Sequence, residues 1–363
     1  MRIRSVEAIP VSIPSAGFNS ALGRFPTFDY GIVVVTTDEG LEGYGEISTL
    51  WDGKGPLQCA FVNGPFKEVL VGEDPTAINH CLRLMDTPFE GAWPARAAVE
   101  MALFDLAGKI HGVPVYDLLG GKARDSIVLS HSVSMGDPAD MAREARGYVA
   151  DGFGCVKVKV GRQGAGDVEA ITAVRDAIGP DVLLRVDANM GWRTPKDAIR
   201  MIKRMEPLGI HSVEQPLPPG DPAALRLVRE SVDTPIMADE SVWGPRQAWD
   251  LLQAGAVDML NVYVSESGGL TNSALIFRMA ELAGVPCVIG AMPELGIGTA
   301  AAVHLGIAMT NLHDPCDACG VIYQIVDVVK ESFEVRNGRI WPPTSPGLGV
   351  TLDRERLAEF RSA

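Results

Sequence analysis

Cys155-Val156-Lys157-Val158-Lys159-Val160 alternates apolar and cationic side chains, the period of a β-strand whose two faces meet different surroundings. The valines suit a layer of covering helices, which turns both lysines toward the opposite, interior face. Working outward, the same kind of segment recurs: IVLSHSV (127–133), VLLRVD (182–187), HSVEQ (211–215), PIMAD (235–239), DMLNVYV (258–264), PCVIG (286–290) and a weaker stretch at 313–319. Their starts lie roughly 25 to 30 residues apart, the length of a strand, a helix and two short loops. Asp137-Pro138 and Thr194-Pro195 mark helix starts between them, each with a capping side chain before a proline. A doubly wound sheet shares this rhythm, but eight regular units favour closure into a parallel barrel.

The residues before the repeat read differently. MRIRSVEAIPVSIP alternates like a strand, a Gly/Ser/Pro-rich segment runs from Pro14 to Pro26, and GIVVVTTDEG with LEGYGE forms a hairpin turning at Asp38-Glu39-Gly40. Then ARAAVEMALFDLAGKIHG carries helical spacing up to the stop at Gly112-Val113-Pro114. Strands followed by helices make an α+β unit. Two of its loops, Phe18 to Phe28 and Ile47 to Gly53, carry aromatic residues, Trp51 among them, that are placed either to close over a ligand or as ordinary surface. The 363 residues accommodate a barrel of about 250 and this appendage.

Composition narrows the function. With 47% hydrophobic and 21% charged residues the chain has the balance of a globular protein with a large core. Its 32 Lys and Arg against 46 Asp and Glu give a net charge of −14, and no basic run interrupts it, which argues against nucleic-acid and anionic-membrane partners. Neither an export signal nor an apolar run of about 18 residues is apparent. Six scattered cysteines then suit reduced thiols and a cytoplasmic location. Cys316-Asp317-Ala318-Cys319 lacks the second pair that a zinc ribbon needs and reads as coincidence.

In parallel barrels the chemistry sits at the C-terminal ends of the strands. Three consecutive strands end in Asp187, Glu214 and Asp239, and strands about 4.8 Å apart bring those carboxylates together. Either each caps or pairs locally, or a hard divalent cation offsets their repulsion; an all-oxygen set suits Mg²⁺ better than Zn²⁺. On the neighbouring strand Lys157 and Lys159 are either paired with interior acids or, crowded by each other and a cation, kept neutral for proton abstraction. Asn261 and Tyr263 share one face of the sixth strand, opposite the second, so Tyr263 either faces Lys159 as a proton donor or fills the barrel. Glu294 and Asp317 stand where they could contact substrate, Asp317 through a cationic group.

These residues resemble the enolase superfamily, in its muconate-lactonising/mandelate-racemase group. The resemblance spans the chain: ARAAVEMALFDLAGKIHGVPVYDLLGG, the K-x-K of Lys157 and Lys159, Asp187 in VDAN, Glu214 in VEQP, Asp239 in MADES, then ESGGL, MPELGIGT and PGLGVTLD. It implies a modified (β/α)8 TIM-type barrel (123–335) under an N-terminal α+β capping domain (1–122) that a C-terminal segment (336–363) completes. It also implies Mg²⁺ on Asp187, Glu214 and Asp239, Lys159 as the base that takes an α-proton next to a carboxylate, Lys157 beside it, and an enediolate whose second charge the metal and lysine stabilise. Asn189, Glu294, Asp317 and Trp51 would contact substrate, and the protein would be a symmetric homo-oligomer.

One position departs from the pattern. Five residues before Gly268, where lactonising enzymes and many epimerases of the group resemble one another in carrying a second catalytic lysine, this chain has Tyr263; PCVIGAM also lacks the histidine of the racemase branch. One-sided chemistry is expected: β-elimination of water from a hydroxy, amino or imino acid such as a hydroxyproline, or epimerisation with Tyr263 delivering the proton. The alternatives are a muconate-type cycloisomerase and a carboxylate-binding barrel without catalysis.

Overall fold

The computed structural model describes residues 1–48, 55–86, 92–162 and 164–362, apart from the side chains of 16–18. The cap opens with an antiparallel meander, β1 (Ile3–Ser20), β2 (Gly23–Thr37) and β3 (Glu42–Ser48). The turn between β2 and β3 falls at Asp38 to Leu41, as the sequence indicates. The Pro14 to Pro26 segment is not a loop: β1 and β2 pair through it, Pro14 opposite Thr27 and Phe18 opposite Phe25, across a register shift. Proline is tolerated there because β1 is an edge strand. The extended hairpin reaches the barrel, where Met135 N donates to Asn19 O at 3.0 Å and Arg162 Nε to Ala21 O at 2.6 Å.

Helices α1 (Gly55–Phe61), α2 (Lys67–Leu70), α3 (Ile78–Asp86), α4 (Trp93–His111) and α5 (Val115–Leu118) complete this unit. The helix α4 packs on the meander and ends at Gly112, whose φ of 71° supplies the left-handed stop. A core of its own, with Ile3, Val33, Phe66, Met85 and Leu103, lies between the sheet and these helices.

The barrel follows. Strand β4 (Ile127–Val128) precedes β5 (His131–Val133), and from there helices and strands alternate: α6 (Pro138–Ala150), β6 (Cys155–Lys159), α7 (Ala165–Ile178), β7 (Leu183–Asp187), α8 (Pro195–Met205), β8 (Ser212–Glu214) and α9 (Pro222–Ser231). The run continues through β9 (Ile236–Ala238), α10 (Pro245–Ala254), β10 (Met259–Val262), α11 (Leu270–Leu282), β11 (Cys287–Ile289) and α12 (Gly296–Ala308). Strands β5 to β11 form one parallel sheet in sequence order. Val156, Val158 and Val160 are fully buried, while Lys157 and Lys159 occupy the alternate positions. The caps read from sequence are in place, with Asp137 accepting from Ala139 N and Thr194 from Asp197 N.

Two expectations need correction. The segment 127–133 is split, because β4 leaves the barrel to pair antiparallel with β13 (Arg339–Ile340), which pairs in turn with β12 (Val335–Arg336). The eighth stave is not a ladder. Residues 312–317 join both edges by separate bonds, His313 N to Cys287 O at 2.7 Å on one side and Cys316 N to Val128 O at 3.0 Å on the other. Pro315, with no N–H to give, interrupts regular pairing there. The ring nevertheless closes. The last helix, α13 (Arg354–Phe360), returns to the cap, where Ser362 N donates to Pro10 O at 3.0 Å and Arg354 meets Glu42 at 2.6 Å. No helix among the described residues is long and apolar enough to cross a membrane.

Candidate active site

Asp187 and Glu214 terminate β7 and β8, and Asp239 follows β9 directly; ladder partners Asp187 and Glu214 stand side by side. One carboxylate oxygen from each of the three lies within 4.8 Å of the others, and all three residues are buried. Lys159 Nζ sits 2.5 Å from Asp187 Oδ2. Lys157 Nζ lies among three acids: 2.7 Å from Asp317 Oδ2, 2.9 Å from Glu214 Oε1 and 3.3 Å from Asp187 Oδ2.

The acids of this cluster are not equivalent. Burial opposes ionisation of Asp187, but Lys159, Lys157 and the Asn189 N–H overcome it and bring its pKa down to about 2. Among the described residues no lysine pairs with Asp239. Burial first, and then Glu240, Glu214, Glu266 and Asp187, push it well above the ordinary carboxylate value. Its Oδ1 is buried with no hydrogen-bond partner among the described residues, as is Oε2 of Glu240, whose pKa rises to about 8 through burial and Asp187. Three converging acids, oxygen-only, with an unpartnered oxygen on the least compensated of them, form a donor set able to hold a metal ion.

For Lys157 the neutral form expected from the sequence is not what the geometry supports. Burial alone would depress its pKa, but Asp317, Glu214 and Asp187 together raise it well above the usual lysine value, which favours the pairing with interior acids. Asp317 is likewise engaged within the chain. Besides Lys157 it faces Arg185, whose Nη1 is 3.4 Å from Oδ1, and it accepts from Ser130 Oγ. Burial resists, but Arg185 and Lys157 hold its carboxyl far below the ordinary range. A substrate ammonium group would reach Asp317 only in competition with both.

Arg185 is the site residue that the sequence reading missed. It is 1% exposed and donates to Glu214 Oε2 at 2.8 Å. Its signal was available, since Arg185 stands two residues before Asp187 and therefore on the same inward face.

Tyr263 follows β10 and donates to Asp239 Oδ2 at 3.1 Å, with Asn261 Nδ2 donating to its oxygen at 3.3 Å. Gly290, at the end of the next strand, lets the ring fit, because a Cβ there would collide with it. Burial and then the charges of Asp239, Glu214, Glu266 and Glu240 push the phenol well above 10, so it stays protonated. Asn189 adopts a positive φ of 38°, donates its N–H to Asp187 Oδ1 at 2.9 Å and bonds Glu240 Oε1 through Nδ2 at 3.0 Å. It braces the acids. Glu294 lies beyond β11, 5% exposed, with Oε1 accepting from Met292 N at 2.8 Å and Oε2 without a hydrogen-bond partner among the described residues. Burial lifts its pKa to about 7. Trp51 lies outside the described residues. Cys316 and Cys319 are buried free thiols.

A barrel whose strand ends pair lysines with clustered acids, under an α+β cap, is the architecture of one family. Residues 3–120 match the mandelate racemase/muconate lactonizing enzyme N-terminal domain and residues 140–356 the enolase C-terminal domain-like model, and the chain belongs to that group of the enolase superfamily. Among individual proteins it is similar to the L-Ala-D/L-Glu epimerase of Bacillus subtilis, 36% identical over 96% of this chain and 97% of the relative. The substrate-liganded structure of that epimerase superposes with a TM-score of 0.91, covering 96% of this chain and 99% of the other. A Cytophaga hutchinsonii dipeptide epimerase, solved with Mg and D-Ala-L-Val, is 32% identical with a TM-score of 0.94 over 99% of both chains. The cis-3-hydroxy-L-proline dehydratase of Roseibium aggregatum is 31% identical over 99% of this chain and 98% of its own. The chain is thus an enzyme of a group that comprises isomerases and lyases.

Proposed function

We propose that the protein removes the α-proton of a small carboxylate substrate in a Mg²⁺-dependent reaction and that β-elimination of water follows. Tyr263 is the observation that carries this reading. The phenol faces Asp239 and is held protonated, so it is an acid where a two-base racemase needs a base. Mg²⁺ on Asp187, Glu214 and Asp239 would hold the substrate carboxylate, offset the charge that builds there and compete with Lys159 for Asp187.

The chain's own residues do the rest. Lys159 accepts the α-proton, and Lys157, kept cationic by three acids, maintains a positive charge beside the developing anion. The electron pair left on the α-carbon becomes the new C=C bond as the β-hydroxyl departs as water with a proton from Tyr263, and the proton taken by Lys159 returns through solvent to the Tyr263 phenolate, so one water is lost overall. Its hydrogen bond to Asp239 supports Tyr263 in the role of that acid. A hydroxyproline-like substrate is supported by similarity to the Roseibium dehydratase, no longer by Asp317. Epimerisation is the second reading, favoured by similarity to the two epimerases. The same reading divides the chain at residues 122 and 335, and takes from the family resemblance a homo-oligomer that light scattering would test.

The test is proton NMR of hydroxyprolines, dipeptides and 2-hydroxy acids in D2O with Mg²⁺. Loss of the substrate α-hydrogen signal by the wild type and its retention with Lys159→Ala are expected, with a dehydrated product. If no carboxylate exchanges, or Lys159→Ala matches the wild type, proton abstraction by Lys159 is wrong. Full activity in a chelator removes the metal.

A further inference from the structure

Helices α6, α8 and α9 are closed at their N-termini by their own Asp137, Thr194 and Asp221. The helices α11 and α12 are not; their preceding residues, Gly269 and Leu295, offer no capping side chain. Both are instead closed by carboxylates of the cap. Glu100 of α4 accepts from Thr271 N at 2.9 Å and from Thr271 Oγ1. Glu46 of β3 accepts from Leu295 N at 2.9 Å through Oε1 and from Gly298 N at 2.8 Å through Oε2. These two helices follow the strands that present Tyr263 and Glu294.

We propose that Glu46 is a positioning residue for Glu294: it caps α12 across the cap–barrel boundary and thereby fixes the turn that holds Glu294 at the rim of the active site. The geometry is specific to this carboxylate. It is fully buried, and Ser48 Oγ donates to Oε1 at 2.6 Å, so it has one orientation. The two backbone donors it takes flank Gly296, whose own N–H goes to Asp327 Oδ1 at 3.1 Å. Gly298 makes the approach possible, since a Cβ there would stand 2.8 Å from Glu294 Cβ and 3.0 Å from Glu46 Oε1. Glu46, Gly298 and Glu294 are therefore packed as one unit. A helix start that lacks both donors' acceptor opens more often, and Glu294 moves with it.

This rests on the proposed reaction only in the assignment of Glu294 to the substrate rim, and the test separates the two. Backbone amide exchange of the full-length protein with Mg²⁺, read by mass spectrometry, should show Leu295–Gly298 exchanging about tenfold faster in Glu46→Ala, the size expected of a lost cap. The α9 amides, closed by Asp221, should not change. Glu46→Gln, whose single amide oxygen can accept from only one of the two N–H groups, should fall between the wild type and Glu46→Ala. With a carboxylate that exchanges in the wild type, Glu46→Ala should raise KM on the order of tenfold and leave kcat for α-hydrogen exchange within about twofold, since Lys159 and the three acids are untouched. Unchanged exchange at Leu295–Gly298, equal acceleration in α9, or an unaltered KM would overturn the proposal. If no carboxylate exchanges at all, the proposed reaction fails while amide exchange still decides whether Glu46 holds α12.

Discussion

Tyr263 donates its phenolic hydrogen to Asp239 Oδ2 across 3.1 Å, linking the tip of the sixth barrel strand to the member of the carboxylate triad that no described lysine pairs with. The bond ties the phenol, the proton donor of the proposed reaction, to an acid of the candidate metal site. Tyr263→Phe should therefore keep α-hydrogen exchange within about tenfold of wild type while product formation falls on the order of a hundredfold, the scale of a lost general acid. Parallel NMR measurements of exchange and product decide it. Equal loss of both would show that Tyr263 only positions substrate.

Asp239 and Glu214 should respond unequally when neutralised. The ionised form of Asp239 is opposed by burial and by neighbouring acids, so Asp239→Asn should lower the metal-free melting temperature less than Glu214→Gln does and abolish the rise on adding Mg²⁺. Glu214→Gln strips a charge partner from both Lys157 and Arg185, and should cost about 3–5 kcal/mol even in the metal-free protein. Thermal melts with Mg²⁺ and with EDTA distinguish them. Equal metal-free melting of the two variants would contradict the assignment of partners.

Stability should decline with rising pH through the cap–barrel boundary. Burial lifts Glu46 from 4.5 to about 8, against the help of Ser48 and Gly298 N, and lifts Glu294 to about 7. The folded chain holds these protons more tightly than the unfolded chain, so the contribution is complete below about pH 4.5 and is lost as pH climbs through 7 to 8. Glu46→Gln should flatten that decline by on the order of 1–3 kcal/mol, measured by urea unfolding between pH 5 and pH 8.5. An unchanged slope would show that Glu46 is ionised throughout.

The barrel was legible because inward and outward residues of a parallel strand alternate, and CVKVKV states that alternation with two chemically opposite residue types. The three acids and both lysines were legible for the same reason, as charges at strand ends with nowhere else to point. What failed depends on partners distant in sequence. The charge state of Lys157 is set by Asp317, 160 residues away, and Asp317 is turned inward by Arg185 and Ser130. The eighth stave left little pattern, because 312–317 holds both edges through isolated bonds around Pro315. Local proline and glycine content and the aromatic residues suggested a loop at Phe18 to Phe28, although β1 and β2 pair through most of it.

The helices closed by Glu46 and Glu100 lie late in the chain, while the two carboxylates that close them come early. During synthesis the finishing pieces of the catalytic rim thus leave the ribosome before the parts they finish, and a nascent chain halted short of Gly298 carries both caps with at most one helix to receive them. Completion of the rim is in this way a checkpoint on the length of the chain: the mouth of the barrel is set only when its first and last thirds have met.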